Sequence, residues 1–278
     1  MTKLLKLEYY KNLNYLPFRV FTLLYFAILI ILLFVGLADL DLLGRKVNLK
    51  EQGMYDFPGI WNFTTYIVAL LKIFPGLIIV FSISQEFSNR MFKQNIIDGL
   101  SREEFIISKL STITIFTLIS TVIVFVITLF LGKTYSTVTD SDMIFKEMFF
   151  VGNYFIKLFS FFCFLLFLSV LLRKSVFVFL AFFVLWIAEM ILYSTELFAK
   201  MASKTPPSVQ EIKSQFMYTK LMPLESMSSL IPNPMMRLHM MKVLAQKYEF
   251  TYPTESLIAC VVWCLIFIGG SYLILKKR

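Results

Sequence analysis

Six long runs of apolar residues constrain this chain more than any other feature of its sequence. A helix needs about 20 consecutive apolar residues to cross the hydrocarbon core of a bilayer. Because 58% of the 278 residues are hydrophobic, a water-soluble domain of this size could not cover them with a polar surface. The sequence therefore predicts one all-α integral membrane domain over residues 1–278. Its six transmembrane helices lie near residues 18–38, 62–84, 106–131, 149–172, 175–193 and 254–275.

The positions of Lys and Arg predict the orientation of these helices, because short cytoplasmic loops carry an excess of both. With the N-terminus inside, the cytoplasmic segments hold thirteen of these residues and the two short outer loops hold five. The distribution therefore favours a cytoplasmic N-terminus, and six spans then place the C-terminus on the same side. Residues 194–253 become a long extracytoplasmic loop, in which we expect short helices at the outer interface or dipping into it.

The segment before the first span is predicted to form a helix that lies along the membrane interface. Leu5, Tyr9, Leu13 and Leu16 recur at helical spacing in residues 1–17. An apolar stripe of this kind favours a helix lying in the interface plane.

The loop between the second and third spans, residues 85–105, carries the strongest local signals. A short helix is predicted from about Ser88 to Asp98, and Gly99 suits the left-handed residue that ends a helix. Ser101 with Glu104 three residues later forms a capping-box pattern that begins the next helix. The 85–105 loop is therefore predicted to be a helix, a hinge and a second helix start.

The same loop offers an exposed surface that suits a protein partner. Its apolar side chains stand among basic ones, whereas a plain solvated connector would not need so much apolar surface. The residues concerned are Phe87, Met91, Phe92, Ile96, Ile97, Arg90, Lys93 and Arg102. We therefore interpret the loop as a docking element.

The motif in this loop resembles the coupling-helix signature of type-2 ABC transporter permeases. It is carried by Glu86, Asn89-Arg90, Gln94-Asn95, Gly99-Leu100-Ser101-Arg102, Phe105 and Lys109. Met91 departs from the pattern, because many members have Thr after the Arg. The predicted layout of the whole chain, with six spans, both termini inside and a long last outer loop, also matches that family.

The resemblance implies a permease subunit of an ATP-driven exporter in the bacterial cytoplasmic (inner) membrane. Members work as dimers, either of two copies or of two related chains. Each permease docks a separate cytosolic ABC ATPase subunit through the coupling helix. The positions that match the motif and would dock the ATPase are Glu86, Arg90, Met91, Phe92, Gln94, Gly99, Ser101 and Arg102.

The chain itself is not expected to be an enzyme. It has no G-x-x-x-x-G-K-[ST] run and no glycine-rich turn that could cradle phosphates. ATP and Mg²⁺ would therefore be bound by the partner ATPase. We expect no catalytic residue, cofactor or metal site in this chain.

Three ionisable residues lie inside the apolar windows, at Lys72, Lys157 and Glu189. An unpaired charge near the centre of a bilayer costs about 2.5–3.5 kcal/mol on insertion scales. All three are predicted between the midplane and the outer face, so Glu189 could pair with a lysine in a polar cluster near the substrate route. Snorkelling of the lysines to the outer interface is the alternative.

Two other functions remain open at this stage. One is a polytopic membrane enzyme that acts on a lipid or an isoprenoid-linked substrate, and the other is a membrane anchor or sensor. Nucleic acid is excluded as a partner, because no basic block stands outside the apolar runs. Membrane lipid, a second permease chain and a cytosolic ATPase are the expected partners.

Overall fold

The computed structural model describes most of the apolar part of the chain. The described residues are 8, 10, 14–35, 40–42, 45–47, 53–138, 140–201, 218–235 and 252–277. Most of the predicted interfacial helix, residues 1–17, therefore lies outside them. So do residues 202–217 and 236–251 of the predicted outer loop.

The described chain is almost entirely helical. Its helices are α1 (Leu16–Val35), α2 (Gly59–Leu70), α3 (Ile73–Ser88), α4 (Met91–Ile97), α5 (Arg102–Tyr135), α6 (Ser141–Phe145), α7 (Phe149–Leu172), α8 (Ser175–Met201), α9 (Pro223–Ser229) and α10 (Thr254–Lys277), with a 3-10 helix at Tyr218–Leu221. The all-α prediction is confirmed for the described residues, beside which β1 (Leu40–Leu42) and β2 (Arg45–Val47) form a short antiparallel hairpin.

Five of the described helices are long and apolar enough to cross a membrane, namely α1, α5, α7, α8 and α10. The pair α2 and α3 passes the same test only when both helices are counted together, and they are bent by 41° at their junction. By length and composition the described part of the chain thus holds five candidate spans, or six if the bent pair is one.

The bend corrects the prediction of one continuous second span at residues 62–84. Pro75 lacks a backbone N–H, and its ring clashes with the carbonyl of residue i−4, which is Leu71. The helix therefore tightens there: the Leu71 and Lys72 amides donate to the carbonyls of Val68 and Ala69, three residues back. The break places Lys72 between two helices rather than inside one.

The helix α7 forms the centre of the bundle. In its most apolar stretch 67% of the residues are buried, against 17% for α1 and for α8. It packs most extensively against α10, α3 and α5. Gly76 of α3 permits the close approach to α7, since a Cβ atom there would lie 2.6 Å from Leu165. The flanking helices α1 and α8 leave many large apolar side chains exposed.

Some helices extend beyond the predicted spans. The α5 helix continues to Tyr135 and α8 to Met201, because helical hydrogen bonding does not stop where the apolar run ends and residues such as Glu196 and Ala199 favour helix. The link between α7 and α8 consists of two residues, Arg173 and Lys174. Arg173 there adopts a left-handed conformation (φ 62°) and Lys174 leads into α8.

Candidate functional site

The 85–105 loop folds into the short helix α4 and is fixed to the bundle by aromatic rings. Arg90 takes a left-handed conformation (φ 58°), which ends α3 and turns the chain into α4. Phe92 then packs against Phe87 and Phe105, with ring centroids 5.2 and 4.9 Å apart. One face of α4 is therefore anchored to the ends of both α3 and α5.

The start of α5 has the predicted capping geometry. Gly99 has a φ of 96°, so the left-handed residue after α4 is confirmed. The Ser101 hydroxyl accepts a hydrogen bond from the Glu104 amide at 3.1 Å, and the Ser101 amide donates to the Glu104 carboxylate at 2.9 Å. This reciprocal pair satisfies two amides that have no partner inside the helix, and it sets the direction in which α5 leaves the loop.

A buried group of ion pairs lies directly behind α4. The Lys109 ammonium donates to the carboxylates of Glu86 and Glu8. Lys109 is 4% exposed and Glu86 is 1% exposed, so this contact is shielded from solvent and joins α3, α5 and the N-terminal segment. Removing one partner of a buried pair leaves an uncompensated charge and is strongly destabilising. These contacts therefore hold the three segments together.

The outward face of α4 is open. Ile97 is 83% exposed, and Arg90, Lys93 and Gln94 are exposed beside it, with Met91 partly buried. Two of the predicted docking residues do not lie on this face, since Glu86 is 1% exposed and Phe92 packs on Phe87 and Phe105. Burial of Glu86 and the inward packing of Phe92 make them supports that hold α4 in place.

The same end of the bundle includes the end of α10. The Arg102 guanidinium donates to the Lys276 carbonyl at 3.3 Å, and the Tyr272 hydroxyl donates to the Glu103 carboxylate at 2.7 Å. Gly99, Ser101 and Arg102 are all exposed. The predicted docking residues other than Glu86 and Phe92 are thus exposed or partly buried within α4 and at its two ends.

A cavity of about 360 Å³ lies at the opposite end of the bundle. It opens between the α2–α3 break, α7, α8 and α9, and we call it the polar cavity because four charged side chains line it. Its lining residues are Tyr66, Ala69, Leu70, Lys72, Ile73, Lys157, Phe182, Phe183, Trp186, Glu189, Met190, Tyr193, Leu224, Glu225 and Ser228. The structure therefore brings together all three intramembrane ionisable residues that the sequence singled out.

Glu189 binds the start of α9 rather than a lysine. Its carboxylate accepts hydrogen bonds from the Leu224 amide at 3.0 Å and from the Glu225 amide at 2.8 Å. Glu196, two turns further along α8, accepts from the amides of Tyr218 and Thr219 in the same way. The carboxylates of α8 thus accept hydrogen bonds from backbone amides of this segment, and the described residues contain no ion pair between Glu189 and a lysine.

Side chains from several other helices hold the carbonyls of residues 218–235. The side-chain amide of Asn62 donates to the Pro232 carbonyl, and that of Asn153 to the Leu230 carbonyl, both at 3.0 Å. The Trp263 indole N–H donates to the Leu221 carbonyl at 2.7 Å. Leu224, Met227, Leu230 and Ile231 are buried in the bundle. This stretch of the predicted outer loop therefore contains a short helix, α9, and packs inside the bundle.

The two lysines of the polar cavity have few partners. Lys72 lies over the Phe161 ring, 4.7 Å from its centroid, and Lys157, which is 6% exposed, donates to the Ser228 carbonyl at 3.3 Å. Within the described ranges, no carboxylate oxygen lies within 4.0 Å of either ammonium nitrogen, so neither lysine forms an ion pair there. The cavity therefore presents two cations that the protein itself does not neutralise by contact.

Glu225 is the residue of this site that sequence reasoning missed. It is the third residue of α9, and its carboxylate accepts a hydrogen bond from Ser229 at 3.1 Å. Burial raises the pKa of Glu225 above that of an ordinary glutamate, and the Ser229 hydrogen bond opposes the rise. The available signal was Pro223, because a proline followed by an acidic residue is typical of a helix start.

Comparison with known proteins gives one match. A protein-family model described as "ABC-2 family transporter protein" matches residues 18–278. No curated protein and no solved structure matches the chain. The matched region begins at the start of α1 and includes both the 85–105 loop and the polar cavity.

Proposed function

We propose that this chain, which belongs to the ABC-2 family of transporter proteins, is the permease subunit of an ATP-driven ABC exporter. Membership of the family makes it a membrane subunit of a transporter. The proposal adds that the 85–105 loop docks a separate cytosolic ATPase subunit, which binds ATP and Mg²⁺. It also adds that transport is outward, across the bacterial inner membrane.

The observation that carries the proposal is the two-sided construction of α4. One side is packed on Phe87 and Phe105 through Phe92, while the other presents Ile97 at 83% exposure among basic and polar side chains. Met91 and Ile96 of the same helix are partly exposed as well, and an apolar patch with a polar rim is the usual form of a protein-binding surface. A partner that moves α4 would therefore also move the helix ends to which α4 is fixed.

The buried ion pairs supply the mechanical link. Lys109 joins α5 to Glu86 of α3 and to Glu8 before α1, so these segments are expected to shift together. The α5 helix has 34 residues and is about 50 Å long at 1.5 Å per residue. A displacement at the 85–105 loop would thus reach the opposite end of the bundle, where the polar cavity lies.

Orientation and assembly follow from the same proposal. The excess of Lys and Arg at the 85–105 end supports a cytoplasmic location for that end, and the ATPase must bind there because ATP is cytosolic. The exposed apolar faces of α1, α5 and α8 would contact membrane lipid and a second permease chain. That second chain is either another copy or a related polypeptide.

The geometry favours transport over the alternative of a lipid-modifying enzyme. Such an enzyme needs carboxylates that are free to bind a metal ion or to transfer a proton. The two carboxylates of the polar cavity are instead engaged by the Leu224 and Glu225 amides and by Ser229. Both line the cavity, but these hydrogen bonds use them to position α9 rather than leave them free as reactive groups.

The test is co-purification with the ABC ATPase that we expect the neighbouring reading frame to encode. Replacing the exposed apolar residue, as in Ile97→Asp, should weaken binding by about 2 kcal/mol, roughly 30-fold, because it removes the apolar centre of the docking surface. Deleting residues 90–100 should abolish the association and leave the chain inserted in the membrane.

The matched control is Lys277→Asp, which changes an exposed residue at the same end of the bundle but away from α4. This variant should retain the ATPase. Undiminished co-purification of the Ile97→Asp and deletion variants would contradict the docking assignment.

A further inference from the structure

In the polar cavity, the two carboxylates form more hydrogen bonds within the protein than the two lysines do. Each carboxylate already accepts hydrogen bonds from α9, since Glu189 binds two backbone amides and Glu225 binds Ser229. The lysines are different: Lys72 contacts an aromatic ring, and Lys157 donates one hydrogen bond, to the Ser228 carbonyl. An ammonium carries three donors, so five of the six N–H groups of Lys72 and Lys157 have no hydrogen-bond acceptor among the described residues.

The walls around these lysines are apolar and partly aromatic. Phe182 is buried, whereas Phe183 and Trp186 are about half exposed at the mouth. Leu70 and Met190, which also line the cavity, are exposed on the outer surface of the bundle. The mouth therefore opens sideways, toward the surface that would face lipid or a second chain, and not only along the bundle axis.

We propose that the polar cavity binds the acidic head group of an anionic amphiphile, with a phosphate or carboxylate between Lys72 and Lys157. The apolar body of the ligand lies along Trp186 and Phe183 and leaves through the side opening. This inference deepens the proposed function and rests on it, because the ligand is then the class of substrate that the exporter moves.

The dimensions of the site agree with this assignment. A volume of about 360 Å³ is at the lower end of the range of small-ligand pockets, which is about 300–1,000 Å³. It accommodates a head group and the first part of a chain, while the remainder lies in the exposed apolar surface of α8. A cationic ligand is disfavoured, because it would meet two ammonium groups and only carboxylates that are already hydrogen-bonded to α9.

The experiment measures binding of three defined probes to the full chain in phosphatidylcholine nanodiscs by isothermal titration calorimetry. The probes are octyl phosphate, octyltrimethylammonium and inorganic phosphate. Octyl phosphate should bind most tightly. Lys72→Gln and Lys157→Gln should each weaken its binding about tenfold, as expected for loss of one charge-assisted hydrogen bond. The control Lys174→Gln, at the other end of the bundle, should bind as the unaltered chain does, and protein-free nanodiscs give the partition of each probe into lipid.

Folding and docking are monitored separately. Both cavity variants should keep the thermal unfolding midpoint and the ATPase co-purification of the unaltered chain. Loss of ATPase association in the Ile97→Asp variant with octyl phosphate binding intact would show that the two sites are independent. If the unaltered chain does not bind the ATPase but still binds octyl phosphate, the exporter function is contradicted and the ligand site is supported.

Two results would overturn the inference. One is equal binding of octyl phosphate to the unaltered chain and to the Lys72→Gln/Lys157→Gln double variant. The other is binding of octyltrimethylammonium or inorganic phosphate as tight as that of octyl phosphate. If phosphatidylglycerol in the nanodisc competes with octyl phosphate, the natural ligand is a bilayer lipid. Absence of competition assigns the site to a non-lipid anionic amphiphile.

Discussion

Buried lysines occur at both ends of this bundle, and the protein treats them differently. At the end that holds the 85–105 loop, Lys109 contacts two carboxylates, those of Glu86 and Glu8. At the opposite end, Lys72 and Lys157 line a cavity without a carboxylate in contact. A charge that is neutralised by contact inside the fold connects helices, whereas an ammonium beside a cavity without a contacting carboxylate can bind a ligand. We therefore propose that the first end serves as a mechanical joint and the second as a binding site.

The largest effect is expected when the ion pairs of Lys109 are removed. Lys109→Met should lower the free energy of unfolding by about 3–5 kcal/mol, because it leaves buried carboxylates without their cation. Lys157→Met, the matched change at the other end, removes a buried charge that has no ion-pair partner, and should leave the stability unchanged or raised. Denaturant unfolding of both variants in micelles measures the difference, and equal losses would contradict the comparison.

A smaller effect is expected where α8 holds α9. Glu189→Gln replaces a charged acceptor by a neutral one, so the hydrogen bonds from the Leu224 and Glu225 amides should weaken by about 1–2 kcal/mol. Hydrogen exchange at those two amides should accelerate accordingly, while exchange in α4 stays unchanged.

The equivalent change Glu196→Gln should act on Tyr218 and Thr219 instead. Unaltered exchange, assembly and transport in the Glu189→Gln variant would show that Glu189 does not hold α9 beside the cavity.

The smallest effect concerns the hinge between α4 and α5. Ser101→Ala removes the capping hydroxyl and should cost about 1 kcal/mol, seen as faster exchange of the Glu104 amide. Ser111→Ala in α5 is the control, since among the described residues its hydroxyl donates to the Ile107 carbonyl of its own helix and to no other group. A comparable effect of both substitutions would show that the cap does not stabilise the hinge.

Local signals were readable from the sequence, and contacts between distant segments were not. Gly99 and the Ser101–Glu104 pair lie within six residues of each other, so turn and capping rules predicted them correctly. The contact of Lys109 with Glu8 spans 101 positions, and no local pattern indicates it.

The polar cavity shows the same limit. Its ionisable residues were found because charges are rare in apolar windows, but the pairing of Glu189 with a lysine was predicted from depth alone. The actual partners of Glu189 are amides at the start of α9, which only the folded chain brings near. Pro75, in contrast, was a readable signal for the break beside Lys72, because proline disrupts helical hydrogen bonding one turn earlier.

The central claim is that the 85–105 loop lies in the cytoplasm, where an ATPase can bind it. Ile97→Cys provides a direct measurement, because position 97 is exposed and the three natural cysteines, Cys163, Cys260 and Cys264, are buried. An impermeant maleimide should label this variant in inverted membrane vesicles but not in intact cells, and bound ATPase should protect it. Labelling in intact cells would place the loop outside and contradict the account.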